Sequence, residues 1–129
     1  MKRVWAVLAV FVSWSILDII IHGVLLGKTY AQQPQLWRAQ PDMKMWLIYV
    51  VTLLSAIVFV EIYQRLISQK SLKNALTYGI LFGFGAGVSM GYGTYSVQPI
   101  PYYMAFVWFI GTWIEALVAG ILVGYLIKE

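Results

Sequence analysis

The sequence has 129 residues, of which 61% are hydrophobic and only 11% are charged, whereas an ordinary soluble domain carries roughly 25% charged residues. A soluble fold of this size exposes much of its surface to water, and so few charged side chains could not cover it. Together with a mean hydropathy of +0.78, the composition excludes a soluble globular domain, a disordered tail and a secreted disulfide scaffold. It indicates a multi-span membrane protein.

Residue counts and charge exclude several kinds of site. The absence of cysteine excludes disulfides, thiolate zinc sites, iron–sulfur clusters and cysteine nucleophiles. A single histidine cannot form a histidine-rich metal site or supply both axial ligands of a haem. The net charge of +4 comes from basic residues that flank apolar segments, where they set orientation and contact anionic lipid headgroups. We therefore expect no metal, no cofactor and no nucleic-acid partner, and we expect contact with the lipid bilayer.

Four segments are apolar over enough residues to cross a bilayer, whose hydrocarbon core of about 30 Å needs roughly 20 residues of helix. They cover approximately residues 4–27, 43–66, 76–95 and 102–127. Because the connections between them are short, consecutive helices should be antiparallel neighbours. The sequence therefore predicts one transmembrane domain over residues 1–129, an all-α integral membrane protein with four transmembrane helices in an up-down-up-down antiparallel bundle.

The basic residues are distributed unevenly between the two predicted sides. One side carries Lys2, Arg3, Arg65, Lys70, Lys73 and Lys128, and the other carries Lys28, Arg38 and Lys44. The positive-inside rule then places both termini in the cytoplasm and the long 28–42 loop outside, which suits a bacterial inner membrane. The N-terminal apolar run exceeds the 7–15 residues usual in a signal peptide, so we expect a retained helix.

The third predicted span contains a regular glycine pattern of the glycine-zipper type. Gly79, Gly83, Gly87 and Gly91 recur every four residues, and the fourth span has small residues at the same spacing, Thr112, Ala116, Gly120 and Gly124. Glycines at this spacing leave a groove in which another helix backbone can approach closely. We expect the two spans to pack as a tight hairpin or to meet across a homo-oligomer interface. The alternative is that the glycines allow the third span to bend, as in helices of transporters.

Asp18 and His22 are ionisable residues within the first predicted span. They are separated by four residues, so they lie on one helix face. A charged group in hydrocarbon is costly and needs a partner or a purpose. An aspartate beside a histidine suits a proton relay. The alternative is a structural polar pair near a hydrated helix end that holds the 28–42 loop in place.

Glu115 lies near the middle of the fourth predicted span and Glu61 near the inner end of the second. A carboxyl at mid-depth suits a proton-coupled carrier or a conducting path. Alternatively, a protonated Glu115 donates a hydrogen bond to Thr112, Ser89, Thr52 or Ser55. Glu61 precedes Arg65 by four residues, an order that favours an ion pair. If Asp18, His22, Glu115 and Glu61 all faced the bundle interior, they would form a ladder of relay groups across the membrane.

The chain resembles the small multidrug resistance transporters in its size, in the acid Asp18 of its first span and in Ala119, Gly120 and Gly124 of its fourth. Those proteins are four-helix proton antiporters that act as dimers, so the resemblance implies proton-linked transport by an oligomer. The chain departs from that pattern because Asp18 lies past the middle of its span and the 28–42 loop is long. Glu115 and His22 also have no expected counterpart.

Two functional hypotheses follow from these patterns. The first is a homo-oligomeric transporter or channel that relays protons, or a small cation or solute, through intramembrane Asp, His and Glu side chains. The second is a non-catalytic accessory or scaffold subunit of a larger membrane complex, docked through the glycine-rich third helix. An enzyme is the least favoured reading, because the sequence has no recognisable nucleophile and base, and we expect no catalytic residues.

Overall fold

The computed structural model describes residues 1–128, and every regular element in that range is helical. The main elements in chain order are α1 (Lys2–Asp18), a π-helical segment (Ile19–Leu25), α2 (Gly27–Ala31), α3 (Met45–Leu66), α4 (Leu72–Val88), a second π-helical segment (Ser89–Gly93), α5 (Thr94–Val97) and α6 (Tyr102–Leu126). Two 3-10 turns, Pro34–Leu36 and Gln40–Asp42, lie between α2 and α3. The predicted all-α class is thus confirmed for the described residues.

Three helices are long and apolar enough to cross a membrane: Lys2–Leu25, Met45–Leu66 and Tyr102–Leu126. The glycine-rich third helical stretch is not among them, because glycine and hydroxyl residues add little apolar character. That stretch begins at Leu72 and continues to Val97, beyond both ends of the predicted 76–95 span. It starts there because the Ser71 hydroxyl caps the helix by accepting a hydrogen bond from the Asn74 amide at 3.0 Å.

Helix α6 is the centre of the packing. It forms its most extensive interface with α4, and a smaller interface with α1. Both neighbours are antiparallel to α6, since Gly79 meets Ala116 while Gly91 meets Ala105, and Trp14 meets Glu115 while Ile21 meets Gly111. The prolines before α6 end the preceding helix and leave Pro101 at its N-cap.

The buried side chains form two separate clusters along α6. One cluster lies at the end of the bundle that holds both described termini and is built around Tyr63, Phe59, Val10 and Val123. The other lies at the opposite end, where the segment after α1 folds over the start of α6, and is built around Leu26, Met104 and Trp108. The mid-depth region between them is where the polar residues of α1 and α6 meet.

Helix α3 is packed over only half of its length. Its buried residues are Ala56, Phe59, Val60 and Tyr63, all in the second half. From residue 45 to residue 55 every side chain is exposed except the half-buried Thr52. Three turns of helix thus stand apart from the rest of the protein on all faces, and this divergence opens space between α3 and the other long helices.

Candidate functional site

A cavity of about 310 Å³ lies in the space that the diverging half of α3 leaves beside α1, α4 and α6. Its lining combines acidic, hydroxyl, aromatic and aliphatic side chains. They are Trp14, Asp18, Ile21, His22, Val51, Thr52, Ser55, Phe82, Met90, Trp108, Thr112, Glu115 and Ala116. The cavity is the candidate site because it brings together residues from four helical stretches that are far apart in the sequence.

Three of the four candidate relay residues line this cavity. Asp18 is the last residue of α1, His22 lies in the π-helical segment that follows, and Glu115 projects from the middle of α6. The Asp18 and Glu115 carboxyls interact with each other electrostatically across the helix interface. Within the described residues, no group of three or more histidine or acidic side chains is arranged to hold a metal ion.

His22 is held mainly by a partner outside the pair predicted from the sequence. Its Nδ1 lies 2.6 Å from the Tyr30 hydroxyl, whereas its Nε2 lies 4.0 Å from an Asp18 carboxylate oxygen. The two rings of His22 and Tyr30 are also stacked, with centroids 5.9 Å apart. The imidazole therefore bridges the short helix α2 on one side and the Asp18 carboxyl on the other.

Tyr30 joins His22 to Trp108 through hydrogen bonds. Its hydroxyl accepts a hydrogen bond from the Trp108 indole at 2.7 Å, because an indole N–H can only donate. The hydroxyl still has its own proton to donate to Nδ1 of His22, and in that tautomer of the imidazole the Nε2 proton faces Asp18. Burial raises the pKa of Tyr30 to about 12, so the hydroxyl keeps its proton at all physiological pH values.

The Glu115 carboxyl has an unusual environment for a charged side chain. Its Oε2 is buried and has no hydrogen-bond partner in the described part of the chain. The backbone oxygen of the same residue accepts a hydrogen bond from the Trp14 indole at 2.7 Å, which fixes α1 against α6 at this depth. A buried carboxyl oxygen without a donor is costly unless it binds a proton or a ligand.

Two of the four hydroxyl groups that the sequence offered as partners of Glu115 make other contacts. Thr52 donates to the Ile48 carbonyl at 2.9 Å, and Thr112 contacts the Met90 sulfur at 3.7 Å. Ser55 also lines the cavity, whereas Ser89 is not part of the lining. Three hydroxyls therefore face the same space as Glu115 without occupying its free oxygen.

Glu61 is separated from the other candidate relay residues. It forms an ion pair with Arg65 at 2.5 Å, and Arg3 of α1 contacts its other carboxylate oxygen at 3.1 Å. These contacts join α1 and α3 at the end of the bundle where α3 is packed. The four residues do not form one continuous ladder in this structure.

Both π-helical segments adjoin the cavity. The segment Ile19–Leu25 carries His22 and begins immediately after Asp18, and Ser89–Gly93 carries Met90. A π-helical turn inserts an extra residue and turns the following side chains to a new direction, and such turns are frequent at functional sites. Here the turn after α1 directs His22 towards Tyr30, which the simple four-residue spacing does not predict.

The glycine stripe of the third helical stretch faces α6. A Cβ atom added to Gly79 would lie 2.7 Å from the Ala116 carbonyl oxygen, and one added to Gly87 would lie 2.6 Å from the Phe109 carbonyl oxygen. The remaining candidate packing residues are placed as follows: Gly83 meets Ala116 and Trp113, Gly91 meets Ala105, Gly120 meets Ala75, Gly124 meets Leu72, and Thr112 lines the cavity. The glycine face of α4 is thus covered within the same chain.

Sequence reasoning missed three aromatic residues of the site. Tyr30 could have been noticed because it follows His22 by eight residues, two turns along a continuing helix. Trp14 was seen only as a neighbour on the Asp18 face, and its contact with the Glu115 backbone required the packing of α1 on α6. Nothing in the sequence links Trp108 to Tyr30, since the two are separated by 78 residues.

Comparisons with known proteins give one family. A family model described as a predicted membrane protein (DUF2177) matches residues 3–110. The match includes Asp18, His22, Tyr30 and Trp108 and ends before Glu115. No curated protein and no solved structure matches the chain.

Proposed function

We propose that this chain, which belongs to the DUF2177 family of predicted membrane proteins, is a small proton-linked membrane transporter. The observation that carries the proposal is the cavity in which Asp18, His22 and Glu115 meet. Ionisable side chains in a membrane protein usually face a cavity or each other and mark ion or proton pathways. In this chain Asp18, His22 and Glu115 face one another and also line the cavity, which is large enough for water or a small solute.

In this proposal Tyr30, His22, Asp18 and Glu115 act in that order from the outer end towards the middle of the membrane. Tyr30 orients His22, the Nε2 proton of His22 faces Asp18, and Asp18 exchanges a proton with Glu115. No further carboxyl lines the cavity beyond Glu115 in the described chain. The inner half of the path must therefore open by helix movement, with Glu61 standing at its inner end.

The topology that we propose is a four-span, up-down-up-down bundle over the single domain 1–129, with both termini in the cytoplasm of a bacterial cell. The glycine-rich stretch 72–97 is then the third span. Although it is less apolar than the other three, the four glycines of its stripe are covered by α6, and aromatic and aliphatic side chains such as Leu81 and Phe84 face outward. The diverging half of α3 would then lie on the same side as the 28–42 loop.

The alternative role, an accessory or scaffold subunit, is favoured by a different observation. The first half of α3 presents exposed apolar side chains on every face, among them Trp46 and Leu54. Val58, in the next turn of the helix, is also exposed. A second copy or another membrane protein could cover it. Docking through the glycine face of α4, however, would require α4 and α6 to separate, because that face is already filled by α6.

The test is proton flux into proteoliposomes that contain a trapped pH-sensitive dye and carry a membrane potential. We expect the wild-type protein to acidify the lumen, and Glu115→Gln to slow the flux about a hundredfold, as expected when a proton-transferring group is removed. Glu115→Asp, which keeps a carboxyl, should retain part of the flux. Asp42→Asn is the matched control, because Asp42 is an exposed carboxyl in the loop before α3.

Folding of each variant is checked by its helical circular dichroism and its elution from a sizing column. Wild-type flux no greater than that of empty liposomes would refute the proposal. So would a folded Glu115→Gln protein that conducts protons as fast as Asp42→Asn. Flux lost in Glu115→Gln and partly kept in Glu115→Asp supports the relay.

A further inference from the structure

We infer that the cavity binds a protonated amine with a small apolar body. The inference deepens the proposed function, on which it rests, by naming the class of substrate that would move in exchange for protons. It is argued from the charge, the aromatic lining, the Glu115 carboxyl and the size of the cavity.

The charge of the lining favours a cation. Asp18 and Glu115 supply two carboxyls, and no lysine or arginine is among the described lining residues. His22 is the one basic side chain of the lining, and its Nδ1 already contacts Tyr30. A small anion would meet two carboxyls and no fixed positive charge, so it would be excluded.

The aromatic side chains favour an organic cation over a metal ion. Trp14, Phe82 and Trp108 line the cavity, and aromatic faces attract ammonium groups, most strongly when water is excluded. Ile21 and Val51 complete an apolar wall. A hydrated metal ion would gain nothing from this wall, whereas the hydrocarbon part of an amine would be buried against it.

The Glu115 carboxyl favours a cation that carries an N–H group. Glu115 lines the cavity and its buried Oε2 lacks a donor, so a protonated amine in the cavity can donate a hydrogen bond to the carboxyl. The hydroxyls of Thr52, Ser55 and Thr112 offer further acceptors on the same cavity wall. A quaternary ammonium ion has the charge but no N–H group, so it would make no hydrogen bond to the Glu115 carboxyl.

The size of the cavity limits the ligand. Its volume of about 310 Å³ lies at the lower end of the range of roughly 300–1,000 Å³ typical of small-molecule sites. A single aromatic or short aliphatic amine fits this volume. A peptide would extend beyond it.

The experiment is isothermal titration calorimetry of the full-length protein in lipid nanodiscs with 2-phenylethylamine. Two comparison ligands separate the contributions: N,N,N-trimethyl-2-phenylethylammonium lacks the N–H group, and 2-phenylethanol lacks the charge. We expect the amine to bind at least about tenfold tighter than either, as for one charge-assisted hydrogen bond. Glu115→Gln should weaken amine binding about tenfold to a hundredfold, while Asp42→Asn should leave it within about twofold.

Equal binding of the three ligands, or amine binding unchanged in folded Glu115→Gln, would overturn the inference. A wild-type protein that carries protons but binds no amine would also overturn it, and would leave the proposed transport function standing. Amine binding that depends on Glu115, in a protein without proton flux, would support the inference and refute proton-linked transport. The two proposals can therefore fail separately.

Discussion

Replacing Gly79 by alanine should weaken the α4–α6 interface, and Gly85→Ala provides a matched comparison. Both glycines lie within α4. A Cβ atom at position 79 would lie 2.7 Å from the Ala116 carbonyl oxygen and 3.3 Å from the Gly120 Cα atom, whereas one at position 85 would have nothing within 4 Å. The same chemical change therefore creates a clash at one position and none at the other.

The magnitude follows from the geometry. The Cβ at position 79 would lie about 0.7 Å inside the 3.4 Å at which ordinary van der Waals contact begins, so the overlap is repulsive and the backbones of α4 and α6 would have to move apart. Overpacking of this kind typically costs about 1–3 kcal/mol. Alanine also favours helix over glycine by up to about 1 kcal/mol, but both variants gain this equally. The difference in unfolding free energy between the two variants is thus expected to be about 1–3 kcal/mol.

The assay is reversible unfolding in detergent micelles, followed by circular dichroism of the helices, for wild type and both variants. We expect Gly85→Ala to be as stable as wild type or slightly more stable, and Gly79→Ala to be clearly less stable than Gly85→Ala. Gly120→Ala, which would place its Cβ 2.7 Å from the Ala75 carbonyl oxygen, should behave like Gly79→Ala. Equal stability of Gly79→Ala and Gly85→Ala would refute the close-contact account of this interface.

Three further predictions concern the two ends of the bundle. Tyr30→Phe removes the hydroxyl between His22 and Trp108, so it should cost about 1–3 kcal/mol of stability and shift the ring-nitrogen NMR resonances of His22. Unchanged resonances would contradict the hydrogen bond between His22 and Tyr30. Burial raises the pKa of Tyr30 from 10.0 to about 12, so folding favours the protonated hydroxyl. The stability that the protonated hydroxyl contributes should be complete below pH 10 and should be lost as the pH rises to about 12. Arg3→Gln should loosen α1 from α3, because it removes the contact with Glu61 at 3.1 Å. We expect a small loss of thermal stability at low salt and no difference from wild type at high salt, where the ion pair is screened. A loss that persists in high salt would show that packing rather than charge is responsible.

The helical class and the general positions of the long helices could be predicted because hydropathy acts locally along the chain. The small residues of the third and fourth predicted spans also indicated close packing, and Gly79 and Gly120 do face one another. Thr112 fits the four-residue spacing but lines the cavity instead, because Phe109 and Ala105 take its place opposite Gly87 and Gly91. Spacing alone does not reveal which bulky residue can fill a glycine groove.

The site itself could be predicted only in part. Asp18, His22 and Glu115 stood out because ionisable groups are rare in apolar segments, yet their depths along separate helices suggested a ladder rather than one cavity. The π-helical turn after Asp18 changes the direction of His22, and the divergence of α3 creates the cavity. Both depend on packing between distant parts of the chain, which the local pattern does not encode.

The half-packed state of α3 has a mechanical consequence. Residues 56–63 are fixed against the bundle, whereas residues 45–55 extend from this anchor as a lever about 16 Å long. A tilt of only about 5° at the anchor moves the free end by about 1.4 Å, roughly half the width of a water molecule. Because residues 45–55 are held by little else in the described chain, a small movement at residues 56–63 changes the width of the cavity that Val51, Thr52 and Ser55 line.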